Sequence, residues 1–327
     1  MKQGQFEHLY RDTWKRFDGV LTELEGNRLG RDRDKVKDSE HYGQMYRRIC
    51  HFHAIAKERN YSSFLVDYLS DLVVRGHQHF YQRRTHFIAD FLRFFVLEFP
   101  RLVRQEQKYF WWASAIFYLP ALLISIAIVF QPELIYTVMD PSRVVNMEEM
   151  YDPENKILGS ARDAETNWHM FGYYINNNIG VSFRTFASGL LWGIGSLFFL
   201  IYNGVVLGAV SAHMANINFE DTFFTFVVGH GSFELTAIVI SGAAGIKLGF
   251  SLLFPGRLSR KESLVSAAHI AIKLVYGVIM MLVVAAFVEA FWSSNNIFMP
   301  WQKYLVGAAL WCVVAAYLVL GGRRIGS

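Results

Sequence analysis

Residues 222–254 read TFFTFVVGHGSFELTAIVISGAAGIKLGFSLLF. The run is almost wholly apolar and longer than the roughly 20 residues a simple membrane span requires. In its first third sits Gly229-His230-Gly231-Ser232-Phe233-Glu234. An imidazole and a carboxylate at membrane depth are costly, so each marks a functional-site candidate with a partner elsewhere in the chain. The glycines flanking His230 can break or bend a helix. A broken helix survives in a membrane only where protein or water satisfies the freed backbone groups.

The rest of the chain agrees with a membrane setting. Of 327 residues, 53% are hydrophobic and only 18% charged, below the roughly 25% of soluble domains. Most of the charge lies before Phe110, which divides the chain into a polar region 1–109 and a membrane-embedded region 110–327. The net charge of +4 is explained by a basic segment facing anionic lipid, without recourse to nucleic acid. Cys50 and Cys312 form neither a disulfide framework nor a CxxC metal site. The first 20 residues lack the apolar core of a cleavable signal peptide.

The expected fold is all-α: a polytopic helical membrane protein preceded by a helical cytoplasmic domain. In region 1–109 a first helix aligns Phe6, Leu9, Tyr10, Trp14, Phe17, Leu21 and Leu24 on one face. A charged linker follows at 28–38, then a helix over 40–59 and another from Ser62 to about Arg84 with Phe64, Leu65, Tyr68, Leu69, Leu72 and Val73 inward. The pairs His51/His53 and His77/His79 are spaced by two, which puts each pair on different helix faces and suits chelation poorly. Residues 87–108 read as a juxtamembrane amphipathic helix divided at Pro100, with Arg93, Arg101, Arg104 and Lys108 toward lipid phosphates. An ordinary packing helix is the alternative.

Spans are expected at about 110–130, 181–212, 222–254 (broken), 264–292 and 304–320, with an acidic outer loop over about 131–170. Small residues at Gly189, Gly193, Gly204, Gly208, Gly245 and Gly249 fit close helix packing and make a homodimer plausible. The basic loop 255–262 and the terminal Arg323-Arg324 both belong inside by the positive-inside rule. Five simple spans cannot satisfy both, and a re-entrant break near Gly229-His230-Gly231 would restore the parity.

His230 and Glu234 fall on one helix face, and Glu289 is a third costly group in a later span. Asn176, Asn177 and Asn178 either cap a helix on the outer side or line a polar cavity; Asn203 and Asn177 are candidates for the same buried polar pocket, and Lys247 and Lys273 are potential counter-ions. Three readings compete. The groups hold a metal for a membrane hydrolase, although the full HExxH signature is missing. They line a path for a lipid, solute or ion. Or they are mutually satisfied polar glue in a scaffold. No motif names a cofactor.

Several motifs carry a resemblance: Gly229-His230-Gly231-Ser232-Phe233-Glu234-Leu235, Ile240-Ser241-Gly242-Ala243-Ala244-Gly245, Asn203-Gly204, Pro255-Gly256 and Glu289-Ala290-Phe291. Together they resemble the stage II sporulation protein M family of integral membrane proteins. Ala290 departs from the family's usual glycine. Met45-Tyr46-Arg47-Arg48 and Leu72-Val73-Val74-Arg75-Gly76-His77 with Tyr81 are similar to its long-form bacterial members. In spore formers the namesake belongs to a membrane complex tied to peptidoglycan remodelling. The longer members tend to be encoded beside MoxR-type ATPases and von Willebrand-type-domain proteins, and no settled catalytic activity accompanies the family. The resemblance therefore implies a component of an envelope-associated assembly in a bacterial inner membrane, with the N-terminus cytoplasmic and an ATPase among its partners. A lipid, solute or ion transporter is the alternative, and a metal-dependent intramembrane hydrolase the third.

Overall fold

Apolar residues at three- and four-residue spacing fold the first region into α1 (Gln3–Gly26), α2 (Tyr42–Glu58) and α3 (Ser63–Arg93). The structure, a computed structural model, describes residues 1–26, 42–155, 164–295 and 297–323. The charged linker at 28–38 and Arg324 lie outside the described residues. Phe6, Trp14, Phe17 and Leu21 of α1 pack with Ile49 and Phe52 of α2 and with Leu65, Leu69 and Leu72 of α3. Burial of each such side chain is worth about 1.5–3 kcal/mol. Arg75 on α3 reaches back to α1, meeting Asp18 at 2.8 Å and Glu25 at 2.9 Å. Two residues assigned inward by spacing face out instead: Leu9 is 62% and Phe64 84% exposed. A helix face about 100° wide takes only part of each apolar run. His51 and His77 are exposed.

The chain divides into two compact units, Met1–Arg93 and Phe94–Ser327. The division precedes the 109/110 boundary expected from composition, because the juxtamembrane residues are built into the second unit. After a π turn at Phe94–Glu98, α4 (Phe99–Gln105) carries Pro100 in its first turn. Phe99 and Val103 are buried against the later helices. Arg104 donates to the carbonyls of Leu318 and Gly321, and Arg101 to that of Gly322. These arginines cap a helix C-terminus, where orphan carbonyls and the dipole favour cations.

The second unit continues with α5 (Gln107–Phe130), α6 (Ile135–Val138), α7 (Pro141–Tyr151), α8 (Ala164–Ala187), α9 (Ile194–Asn216), α10 (Glu220–Leu253), α11 (Arg260–Phe287) and α12 (Pro300–Leu320). Among the described residues all regular structure is helical. Five helices, beginning at Gln107, Ile194, Glu220, Arg260 and Pro300, are long and apolar enough to cross a membrane. α10 is the centre of the bundle. In its apolar window 72% of residues are buried, against 22–44% in the other four. One side of it packs on α4, α11 and α12 through Ala237, Ile240, Ala244 and Leu248. Another packs on α5 and α9 through Ile238, Val239, Ala243 and Ile246.

The expected break at Gly229-His230-Gly231 does not occur, since α10 runs unbroken from Glu220 to Leu253. Gly229, His230 and Gly231 are buried among neighbouring helices, where keeping the i→i−4 ladder satisfies their backbone groups. The discontinuity lies in the 181–212 run instead. There α8 ends at Ala187, a 3₁₀ turn covers Ser188–Leu190, and Trp192 (φ 50°) and Gly193 (φ 83°) reverse the chain into α9.

That reversal resolves the parity. Although α8 is more polar than the five spans, it runs beside α10 for most of its length and in the same direction. Its Phe171, Tyr174 and Ile175 cluster with Phe223 and Phe226, Val181 with Ile238 and Val239, and Gly189 abuts Gly245. Six helices (α5, α8, α9, α10, α11 and α12) therefore pass between the two ends of the bundle. Residues 94–109, the turn at 188–193, the 254–259 loop and the C-terminal end of α12 share one end. This end is tied together by Lys247 to Glu106 at 2.9 Å, by Tyr109 against Phe250 and by Tyr317 donating to the Phe95 carbonyl. It carries Arg101, Arg104, Lys108, Arg257, Arg260, Lys261 and Arg323, while the other carries Glu133, Asp140, Glu148, Glu149, Asp152, Glu154, Glu220 and Asp221.

In a chain carrying Cys50→Ser and Cys312→Ser, single substitutions Ser259→Cys and Arg323→Cys are expected to react with an impermeant maleimide from one side of the membrane. Pro153→Cys is expected to react from the opposite side. Labelling of Ser259→Cys and Arg323→Cys from different sides would overturn the six-passage bundle.

Candidate functional site

The residues that follow α11 pack on α10 beside Gly229 at ordinary van der Waals distance. A Cβ there would lie 3.4 Å from Val288 Cγ1 and 3.7 Å from Ser293 Oγ. At this contact α11 widens into a π turn over Val288–Ser293, a feature that recurs at functional sites. The wider turn presents Glu289 and Ser293 to His230 and Glu234.

The four groups form one cluster. His230 Nε2 and Glu234 Oε2 stand 4.0 Å apart, one helical turn from each other. His230 Nδ1 lies 3.1 Å from Ser293 Oγ, and the Phe226 ring packs edge-on to the imidazole at 5.2 Å. One ligand atom each from His230, Glu234 and Glu289 lies within 4.8 Å of the others. Among the described residues this is the one group of three or more His, Cys, Asp or Glu side chains so placed. Glu289 is 8% exposed, and its Oε2 has no hydrogen-bond partner.

The expected counter-ions are elsewhere. Lys247 pairs with Glu106, and Lys273 is exposed. Lys303 donates to the Ser293 carbonyl at 2.9 Å. Two carboxyl groups are thus gathered in the bundle, and among the described residues no Lys or Arg forms an ion pair with either.

Neither Asn203 nor Asn177 is in the cluster. Asn203 donates to the Phe199 carbonyl of its own helix at 2.7 Å. Asn177 is exposed and donates to Asn178 Oδ1 at 3.1 Å. The residue beside Glu289 is Asn178, which is 4% exposed with Nδ2 unpartnered. A one-residue slip on a helix turns a side chain by about 100°. Sequence reasoning also missed Ser293, an ordinary serine at the end of an apolar run, and Tyr151. Tyr151 is 9% exposed against Phe223 and Phe226 at the end of α7. Burial first, and Glu289 next, push its phenol above the ordinary range, so it stays protonated.

The packing glycines make contacts within the chain. A Cβ on Gly189 would fall 2.5 Å from Gly245 Cα, and one on Gly249 would fall 2.3 Å from Gly193 Cα. A Cβ on Gly204 or Gly208 would strike the Phe117 or Ala121 carbonyl at 2.2 and 2.1 Å. A cavity of about 310 Å³ opens between Asp152, Asp221 and Lys303 at the acidic end and reaches Phe226 and Ser293, the residues that touch His230.

A buried carboxylate already satisfied by its neighbours costs about 3–5 kcal/mol to disrupt. An unpartnered one is replaced by an apolar group of similar size with little loss or a gain. Glu289→Leu is therefore expected to leave the unfolding temperature of the metal-free protein unchanged or raised by a few degrees. A marked fall in a thermal melt would show that Glu289 is structural glue.

Comparison with known proteins gives two matches to family profiles. The profile of the family described as stage II sporulation protein M matches residues 114–294, and a domain of unknown function matches residues 4–82. An uncharacterized protein of Methanocaldococcus jannaschii is 29% identical over 124 residues, covering 37% of this chain and 69% of that protein. No solved structure is significantly similar. The first profile spans more than half of the chain and includes His230, Glu234 and Glu289.

Proposed function

The chain belongs to the stage II sporulation protein M family, and on that premise we propose that it is a membrane component of an envelope-associated assembly. The observation that carries this reading is the two-unit construction. Residues 1–93 have their own helical core, and the membrane bundle follows as a separate unit. The two profile matches fall on these units separately, at 4–82 and 114–294. A self-contained helical unit joined to a membrane bundle suits a docking module for a soluble partner. In this reading a MoxR-type ATPase is the partner and envelope or peptidoglycan remodelling the process. By the positive-inside rule the basic end of the bundle faces the cytoplasm, together with the first unit that joins it at Phe94. The membrane is then the bacterial inner membrane.

A second copy of the chain fits the same assembly. The exposed side of α8 carries Tyr173, Asn176, Asn177 and Arg184. Amide groups on the outside of a membrane bundle are better met by another helix than by lipid. Transport is the second reading, favoured by the buried carboxylates and the cavity that approaches them from the acidic end.

The assembly is tested by purification from native membranes in mild detergent, comparing the full chain with one lacking residues 1–93. A stoichiometric ATPase or envelope-remodelling protein is expected with the full chain and absent after truncation. Recovery of the full chain alone would overturn the assembly. Asn177→Cys, in a chain with Cys50→Ser and Cys312→Ser, is expected to form a disulfide-linked dimer on mild oxidation in the membrane. Exclusively monomeric protein would remove α8 from any interface between copies.

A further inference from the structure

We propose that His230, Glu234 and Glu289 form a binding site for a divalent transition-metal ion, reached from the acidic end of the bundle. The arrangement goes beyond an accidental gathering of polar groups in three respects. Glu289, only 8% exposed, brings a carboxylate oxygen into the group and holds its Oε2 without a hydrogen-bond partner. The three ligand atoms lie within 4.8 Å of one another, and ligands sharing one ion at about 2.1 Å stand roughly 3–4 Å apart. Small side-chain rotations therefore bring all three onto one ion. The imidazole is also pre-oriented: Ser293 engages Nδ1 at 3.1 Å, which leaves Nε2 toward Glu234. A hydrogen bond to the non-ligating nitrogen is the usual support of a metal-binding histidine.

Charge selects the ligand. Two carboxylates and a neutral imidazole carry two negative charges when ionised, which a divalent cation cancels. Water-poor surroundings make that cancellation worth more than in solution. Lys303, the nearest cation described above, holds the Ser293 carbonyl instead of either carboxylate. One nitrogen and two oxygens suit zinc, manganese or ferrous iron, while magnesium and calcium prefer all-oxygen shells. Three protein ligands leave a position for water or a solute. Asp152 and Asp221 line the cavity together with Lys303, and Ser293 and Phe226, which touch His230, line it as well, so it adjoins the cluster.

The test uses the purified full chain in detergent, stripped with a chelator and titrated with zinc chloride or manganese chloride alone, with bound metal measured by mass spectrometry after desalting. One ion per chain is expected in the wild type, together with a rise in unfolding temperature. Glu234→Gln and Glu289→Gln are each expected to weaken binding by about 100-fold or more, and Ser293→Ala by about 10-fold. Failure of the wild type to retain either metal overturns the site. So does binding that survives both glutamate substitutions, which would place the ion on surface histidines. If the glutamate variants fail to fold, Ser293→Ala decides: an unchanged metal-induced rise in its unfolding temperature overturns the proposal, and a reduced one supports it. Because the readout needs no partner protein, its failure leaves the assembly reading untouched.

Discussion

The bundle depends on backbones meeting without side chains between them. Between apolar helices in lipid there is little hydrophobic drive, so association rests on close van der Waals contact and on hydrogen bonds between helices. Here α8 and the turn after it come down on α10 at Gly189, Gly193, Gly245 and Gly249, while α9 lies on α5 at Gly204 and Gly208. Those contacts fix α10 at the centre and give every other passage of the chain a reference surface. They also explain why two glycines beside His230 do not break the helix. A helix enclosed on most sides has no alternative partner for its backbone groups, so flexibility at single residues is overruled by the need to keep the ladder intact.

Much of this was legible in the sequence, for reasons that can be named. Spans show in composition alone because lipid demands about 20 apolar residues, and α5, α11 and α12 begin within a few residues of where the run of apolar side chains puts them. The spacing of the six glycines announced close packing, although it did not show that the contacts fall within one chain. α8 was the main loss. A helix with polar residues, which α10, α11 and α9 partly cover, needs less hydrophobicity than a lipid-facing span, so hydropathy fails to count it. Its omission forced an odd number of crossings and moved the break onto the wrong glycines. Trp192 in a left-handed conformation marks the true reversal, and nothing in a tryptophan predicts that.

The site was half legible. His230, Glu234 and Glu289 stand out because ionisable groups are rare at membrane depth, and the four-residue spacing of the first two guarantees a shared face once the helix is continuous. Glu289 joins them only through the π turn of α11, whose extra residue per turn rotates its side chain relative to an α-helix, and no local pattern encodes that. Within the run Asn176-Asn177-Asn178 the choice fell on Asn177 rather than Asn178, because helix register inside a polar run cannot be set without knowing which face is covered. Ser293 carries no signal until its distance to His230 is seen.

The distribution of cations supports the proposed site over polar glue. The bundle has positive groups to offer, and each is engaged elsewhere or exposed: Lys247 on Glu106, Arg101 and Arg104 on the carbonyls that end α12, Lys303 on the Ser293 carbonyl. Polar glue would have drawn one of them onto Glu289, since a buried carboxylate is stable when paired and costly when it is not. Instead the carboxylate is held with an oxygen free, next to an imidazole fixed by Ser293 and beside a cavity lined by Asp152, Asp221 and Lys303. A fold that keeps a costly group unsatisfied while supporting its neighbours behaves as a site built for something that arrives from outside the chain.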